Sequence, residues 1–300
     1  MLWILLSVLS AIFLGVYDAA KKTAVRDNAV PAVLFYCVLV GGVLWLPLIL
    51  AAAGAPQRVP PWLANVAAAS PWQHLLLLAK SALVAASWTC AYFSLKHLPI
   101  SVAAPIRATS PMWTIAMATL FMQERPTPRQ WLGIVIILSA FYAFSVVGRR
   151  EGIHFHRDRW VALMVGATLL GACSALYDKF LLQRAGLDPA TVQAWFSVYL
   201  VVVLFPLYLF WWRFQRQRIP FSWRWAIPAV TLCLLVADYL YFAAIAQPNA
   251  LIAVISPVRR TAVVISFLLG VRLFGEVNFR PKAVCIAILL VGVFLVSWSS

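Results

Sequence analysis

Charge is what this sequence has least of. Only 11% of its 300 residues are Asp, Glu, Lys or Arg, and the acids number 9 against 24 bases. A soluble domain carries about a quarter charged residues, so a soluble core-and-surface architecture is excluded at the outset. Enzyme signatures are also missing: no Gly-x-Gly-x-x-Gly, no Walker loop and no His-Glu-x-x-His occurs. The five cysteines (Cys37, Cys90, Cys173, Cys233, Cys285) show no Cys-x-x-Cys spacing and fall inside apolar runs. Neither a disulfide framework nor a zinc site is therefore expected. His74, His97, His154 and His156 are too scattered to hold a metal. A non-enzyme without metal or cofactor is the resulting expectation.

Long hydrophobic runs are what the chain has instead, at 64% apolar residues. A helix of about 20 residues spans the hydrocarbon core. Ten such windows can be placed, at 2–24, 30–53, 73–95, 99–122, 129–148, 159–182, 189–212, 225–247, 249–272 and 281–299. They are continuous rather than alternating, which favours helices over a β-barrel. The first lacks a basic leader and carries Asp18 and Lys21 where a signal peptide would be cleaved, so it reads as a permanent helix. Trp3, Trp72, Trp131, Trp160, Trp211, Trp212, Trp223, Trp225 and Trp298 sit at window ends, as interfacial anchors do. Trp88, Trp113 and Trp195 lie deeper, where packing is the simpler role.

The formal charge of +15 does not indicate nucleic-acid binding, because the bases are spread over short loops and apolar runs. It reads as a topology signal. Loops after the odd-numbered windows hold Lys21, Lys22, Arg26, Lys96, Arg149, Arg150, Arg157, Arg159, Arg213, Arg216, Arg218, Arg224, Arg272, Arg280 and Lys282. The other side has only Arg58, Arg125, Arg129 and Arg184. The positive-inside rule then places both termini away from the cytoplasm of an inner membrane.

The chain also repeats itself. Pro105-Ile106-Arg107 is followed by Glu124, and Pro257-Val258-Arg259 by Glu276, at the same spacing; Tyr17-Asp18 with Lys21 is echoed by Tyr177-Asp178 with Lys179. Five windows (1–148) precede the basic linker 149–158 and five (159–300) follow it. An odd number of spans per half inverts the second half relative to the first. The expected fold is therefore all-α and polytopic, with ten helices in two inverted five-helix repeats and a site at their interface.

Charges within the windows are the candidate site. Asp18, Lys21, Lys22, Lys80, Arg107, Asp178, Lys179, Asp238, Arg259 and Arg260 all lie in apolar segments, where an ionised group requires a partner or a water-filled cavity. Asp18 can reach Lys21 or Lys22 at i+3 and i+4. Lys21, Lys22, Asp178 and Lys179 are close enough to window ends to snorkel. Seven bases against three acids leave about four cations unpaired, which suits an anionic or zwitterionic visitor. Arginine binds carboxylate and phosphate in bidentate fashion, and prolines beside Arg107 and Arg259 would kink their helices. Glu124 and Glu276 read as helix-end salt-bridge residues.

The residues from Ala91-Tyr92-Phe93 through Pro105-Ile106-Arg107, Ser110-Pro111 and Glu124-Arg125 to Gln130-Trp131-Leu132-Gly133 resemble one repeat of the EamA family, within the drug/metabolite transporter superfamily. Tyr241-Phe242 through Pro257-Val258-Arg259, Glu276 and Gly292 resemble the second. The resemblance implies ten helices around a central cavity and a metabolite as cargo. Basic pairs like Arg259-Arg260 occur in superfamily members that exchange phosphate esters. Leu14-Gly15-Val16-Tyr17-Asp18 departs from the Trp-Gly common in the family's first helix, and the positive loops lie on the side opposite to the usual one.

The combined expectation is a secondary transporter moving a small anionic or zwitterionic metabolite by alternating access. Arg107, Arg259, Arg260, Lys179, Tyr17 and Tyr241 would bind substrate; Asp18, Asp178, Asp238 and Lys21 would be charge partners or carry a coupling proton. A coupling ion or a counter-substrate would supply the energy. The alternatives are a flippase or accessory protein for a lipid-linked phosphate, and a non-transporting membrane scaffold.

Overall fold

The computed structural model describes residues 2–122, 127–149, 157–247, 250, 252, 255, 258–259, 261–275 and 279–297. Among them regular structure is helical throughout. The helices are α1 (Leu2–Val25), α2 (Val30–Gly54), α3 (Pro71–His97), α4 (Ile100–Ala108), α5 (Ser110–Met122), α6 (Pro128–Arg149), α7 (Arg159–Lys179), α8 (Pro189–Phe214), α9 (Ala226–Ile245), α10 (Ala262–Phe274) and α11 (Phe279–Ser297). Six are long and apolar enough to cross a bilayer: α1, α2, α3, α7 with its extension to Arg184, α8 and α9. Their outward faces carry exposed Leu, Val and Phe such as Leu50, Val202 and Phe210, a pattern that water would penalise and lipid accepts. The chain is a multi-pass membrane protein.

Local chemistry sets the helix ends. Ser70 and Gln73 form a reciprocal capping box at the start of α3, with Gln73 N–H donating to Ser70 Oγ (3.3 Å) and Ser70 N–H to Gln73 Oε1 (2.8 Å). Asp158 accepts from Trp160 N–H (2.7 Å) to open α7. Lys22 Nζ donates to the carbonyls of Leu95 and Leu98, both at 2.7 Å, closing the end of α3. Lys96 Nζ donates to Asn28 O at 2.9 Å, and Arg224 to Thr23 O at 2.7 Å. Cations thus satisfy the orphan carbonyls at one end of the bundle. This face gathers the ends of α1 and α3 and the approach to α9. The opposite face joins Asn65 to Asp188 and Gln183 to the carbonyls of Ile245 and Ala250.

Helix packing brings the two halves together along their lengths. α1 lies along α9, α3 along α7, α2 along α8, α6 along α11 and α4 against α10. Small residues permit the closest crossings. A Cβ on Gly15 would lie 2.5 Å from Ile265 Cβ, and one on Gly292 would lie 2.9 Å from the Gly133 carbonyl oxygen.

Four differences from the sequence reading have physical causes. The window 99–122 is two helices that meet at Thr109, whose Oγ1 donates to Ile106 O (2.7 Å); Pro111 lacks the N–H that would have continued the ladder from Arg107. The window 159–182 ends in a wider π turn, Phe180–Arg184, and Gly186 then turns the chain with φ +66°. Trp211, expected as an anchor, is buried and donates to Ile219 O at 3.0 Å, whereas Trp72, Trp131, Trp212, Trp223 and Trp225 are exposed. Lys21 and Lys282, counted among the loop charges, are buried, and Lys282 donates to Ser101 Oγ at 2.7 Å. Glu124 and Glu276 lie outside the described residues, as do positions 150–156 of the linker 149–158.

Candidate substrate cavity

Helical spacing builds the site. Leu14, Tyr17 and Lys21 form one stripe on α1, and Lys80, Val84, Ser87 and Ala91 form another on α3. α7 contributes Ala167, Gly171, Ser174 and Asp178, and α9 contributes Leu234, Asp238 and Tyr241. These stripes converge on a central cavity of about 120 Å³, which Arg107, Ser110, Trp88, Phe196, Phe242 and Arg259 complete. Its walls come from both halves of the chain. The α4–α5 break places Arg107 in the last turn of α4 with Ser110 just beyond it.

Every acid of the cluster holds a base. Arg107 donates to Asp18 Oδ1, Lys80 to Asp178 Oδ1, and Arg259 to Asp238 Oδ1. Lys21 Nζ shares Asp18 Oδ1 at 3.2 Å, and Ser266 Oγ reaches Asp18 Oδ2 at 3.3 Å. Ser10 Oγ donates to Ala237 O (2.6 Å) and accepts from Arg259 Nε (3.1 Å), fixing that guanidinium from a second side. Aromatic faces surround the cations. Arg259 lies 4.1 Å from the Tyr241 ring centre, Lys21 4.3 Å from Tyr17, and Lys80 4.6 Å from Phe196. Such faces stabilise cations while excluding water.

Accessibility divides the four cations into two classes. The Lys21 and Lys80 side chains are each 2% exposed, while those of Arg107 and Arg259 retain 21% and 12%. All four line the cavity, and the arginines are the more accessible of them. Both arginines also line a pocket of about 10 Å³ beside Asp18. Four bases against three acids leave one positive charge in excess among the described cavity residues.

Of the residues singled out in the sequence, Arg107, Arg259, Tyr17, Tyr241, Asp178, Asp238 and Lys21 line the central cavity, and Asp18 lies just behind Arg107. Arg260 lies outside the described residues. Lys179 is not brought in: it follows Asp178 by one position, about 100° around the helix, and is half-buried away from the cavity. Lys21 and Asp178 do not snorkel but are buried. The expected surplus of about four unpaired cations also shrinks among the described residues, because Lys22 is spent on backbone carbonyls and Lys179 lies away from the cavity. Lys80 is legible in the sequence as an intramembrane charge but not as a residue of the site. The signal that could have placed it there is its stripe, since Lys80, Val84, Ser87 and Ala91 keep one helix face small or polar inside an apolar segment.

Known proteins resemble this one over much of its length. A pseudopaline exporter, CntI, of Pseudomonas aeruginosa is 23% identical over 221 residues, covering 64% of this chain and 70% of its own. A riboflavin transporter of Rhizobium johnstonii is 32% identical over 146 residues, 46% of this chain and 41% of its own. A solved crystal structure superposes with a TM-score of 0.63 at 16% identity, over 98% of this chain and 95% of the other, and so shares the fold. Residues 1–146 match the model of the EamA-like transporter family.

Proposed function

We propose that this protein is a secondary transporter of the inner membrane that carries a small zwitterionic or anionic metabolite, with a carboxylate or phosphate ester as its anionic group. The observation that carries the reading is the central cavity itself, walled by both halves and lined by ion pairs whose arginines retain access to it. The family match of residues 1–146 and the transporter relatives support transport, and the lining suggests the cargo. An anionic group entering between Arg107 and Arg259 competes with Asp18 and Asp238 for the guanidinium groups. A carboxylate released in this way is costly if left bare, and an ammonium on the same substrate re-pairs it. A zwitterion therefore opens the pairs at lower cost than a plain anion, and the excess positive charge favours a net negative cargo.

The packing supports two inverted repeats of five helices. The partnerships α1–α9, α3–α7, α2–α8, α6–α11 and α4–α10 map onto themselves when the two halves are exchanged. Rocking of one half against the other would then expose the cavity to each side in turn. An ion gradient or a counter-substrate would drive it.

The test is thermal stability of the purified protein against phosphate esters, amino acids, carboxylates and amines. Stabilisation by zwitterions or anions, lost in Arg107→Ala and Arg259→Ala, is the expected outcome. Stabilisation by amines alone overturns the cargo class. Uptake into proteoliposomes that is unchanged in both arginine variants overturns the site.

A further inference from the structure

A second cavity of about 30 Å³ lies between α2, α3, α8 and α9. Trp88, Phe196, Leu234 and Asp238 line both cavities and form the partition between them. The polar side chains around this small space include a carboxylate, an amide and three hydroxyls. Gln193 is 1% exposed, and its Oε1 has no donor among the described residues. Ser197 has already given its hydroxyl proton to Gln193 O (2.8 Å), and Thr231 has given its own to Cys37 O (2.7 Å). Cys37 Sγ donates to Ile227 O. Asp238 binds Arg259 through Oδ1, and Oδ2 accepts no hydrogen bond among the described residues. Gln193, Ser197, Thr231, Asp238 and Tyr92 therefore bring oxygen acceptors to one cavity, beside the Cys37 thiol and the Trp88 ring.

We infer that this cavity is a binding site for a sodium-sized monovalent cation. A carboxylate, an amide oxygen and hydroxyls around one small space suit a hard cation. A single carboxylate already shared with Arg259 is too little charge for a divalent ion, whose sites collect several carboxylates. The space admits about one water-sized occupant and no metabolite, and a buried acceptor such as Gln193 Oε1 is costly while bare.

The position of the site gives it a consequence, which rests on the transport reading above. A cation on Asp238 Oδ2 draws on the carboxylate that restrains Arg259, and so loosens the guanidinium toward the central cavity. An anionic substrate there in turn offsets the added positive charge. Each ligand then strengthens the other by the same factor, which is a route to ion-coupled transport.

Melting temperatures of the purified full-length protein in sodium chloride and in choline chloride, at equal ionic strength and without substrate, test the site. A saturable rise in sodium is expected, smaller in potassium chloride. Gln193→Leu and Thr231→Val should lose that increment, read within each variant as the difference between sodium and choline. Equal melting in sodium and choline, or an undiminished increment in both variants, overturns the inference. If Gln193→Leu fails to fold, Ser197→Ala removes a single oxygen and decides the matter in the same way. Because no substrate is present, a missing sodium effect leaves the transport reading standing. A failed substrate screen likewise leaves a sodium effect intact.

Discussion

At the scale of single residues, the pair Lys80–Asp178 ties the first half of the chain to the second within the wall of the cavity. Both side chains are at most 5% exposed, so removing either leaves a buried charge without its partner. Such a loss costs about 3–5 kcal/mol, whereas replacing both members by apolar residues is often nearly neutral. Lys80→Met and Asp178→Leu should each lower the unfolding free energy in detergent by about that amount. The double variant should recover most of it. Additive losses, measured in a double-mutant cycle, would mean that the pair contributes nothing as a pair. The sequence identifies these residues as intramembrane charges, but it cannot assign partners. Lys80 and Asp178 are nearly a hundred positions apart, and only the packing of α3 on α7 brings them together. Arg107 and Arg259 are legible because depth alone makes an arginine demand a partner. Lys179 is not, because a repeated Tyr-Asp-Lys pattern does not entail a repeated role.

At the scale of elements, the helices are legible because twenty apolar residues between polar punctuation admit little else in a membrane. The break at Thr109 is harder to read. Pro105 and Pro111 predict bending, but not that the turn between them closes on itself, as it does where Thr109 Oγ1 donates to Ile106 O. Close crossings are likewise invisible, since a glycine in an apolar run does not declare what it faces. Gly292 faces the backbone of α6, where the Gly133 oxygen would lie 2.9 Å from any Cβ placed on it. Gly292→Val therefore forces α11 away from α6, at a cost of about 1–3 kcal/mol for overpacking. The melting temperature should fall. Gly54→Val, at a site with nothing within 4 Å of the added Cβ, should change it far less. Equal effects would mean that the α6–α11 crossing is not set by this contact.

At the scale of the whole molecule, orientation is the property that charge bias addresses most directly. Lys21 and Lys282 are buried and no longer count as loop charges. The bias survives their removal, because Lys22, Arg26, Lys96 and Arg224 gather on one face, where they are tied to Asn28, Thr23 and the end of α3. Arg213 lies in the last turn of α8, and Arg216 and Arg218 follow it in the basic segment that leads to Arg224. Arg58 and Arg184 belong to the loops of the opposite face. Anionic headgroups and the positive-inside rule predict that the basic face lies in the cytoplasm and both chain ends on the other side. A fluorescent protein that matures only in the cytoplasm should be bright when fused after Gln217 and dark when fused after Ser300. An alkaline phosphatase active only outside the cytoplasm should give the reverse pattern. If both reporters invert, the fold is retained but the cavity's two entrances exchange sides, and the basic face then lies outside against the rule that governs short loops.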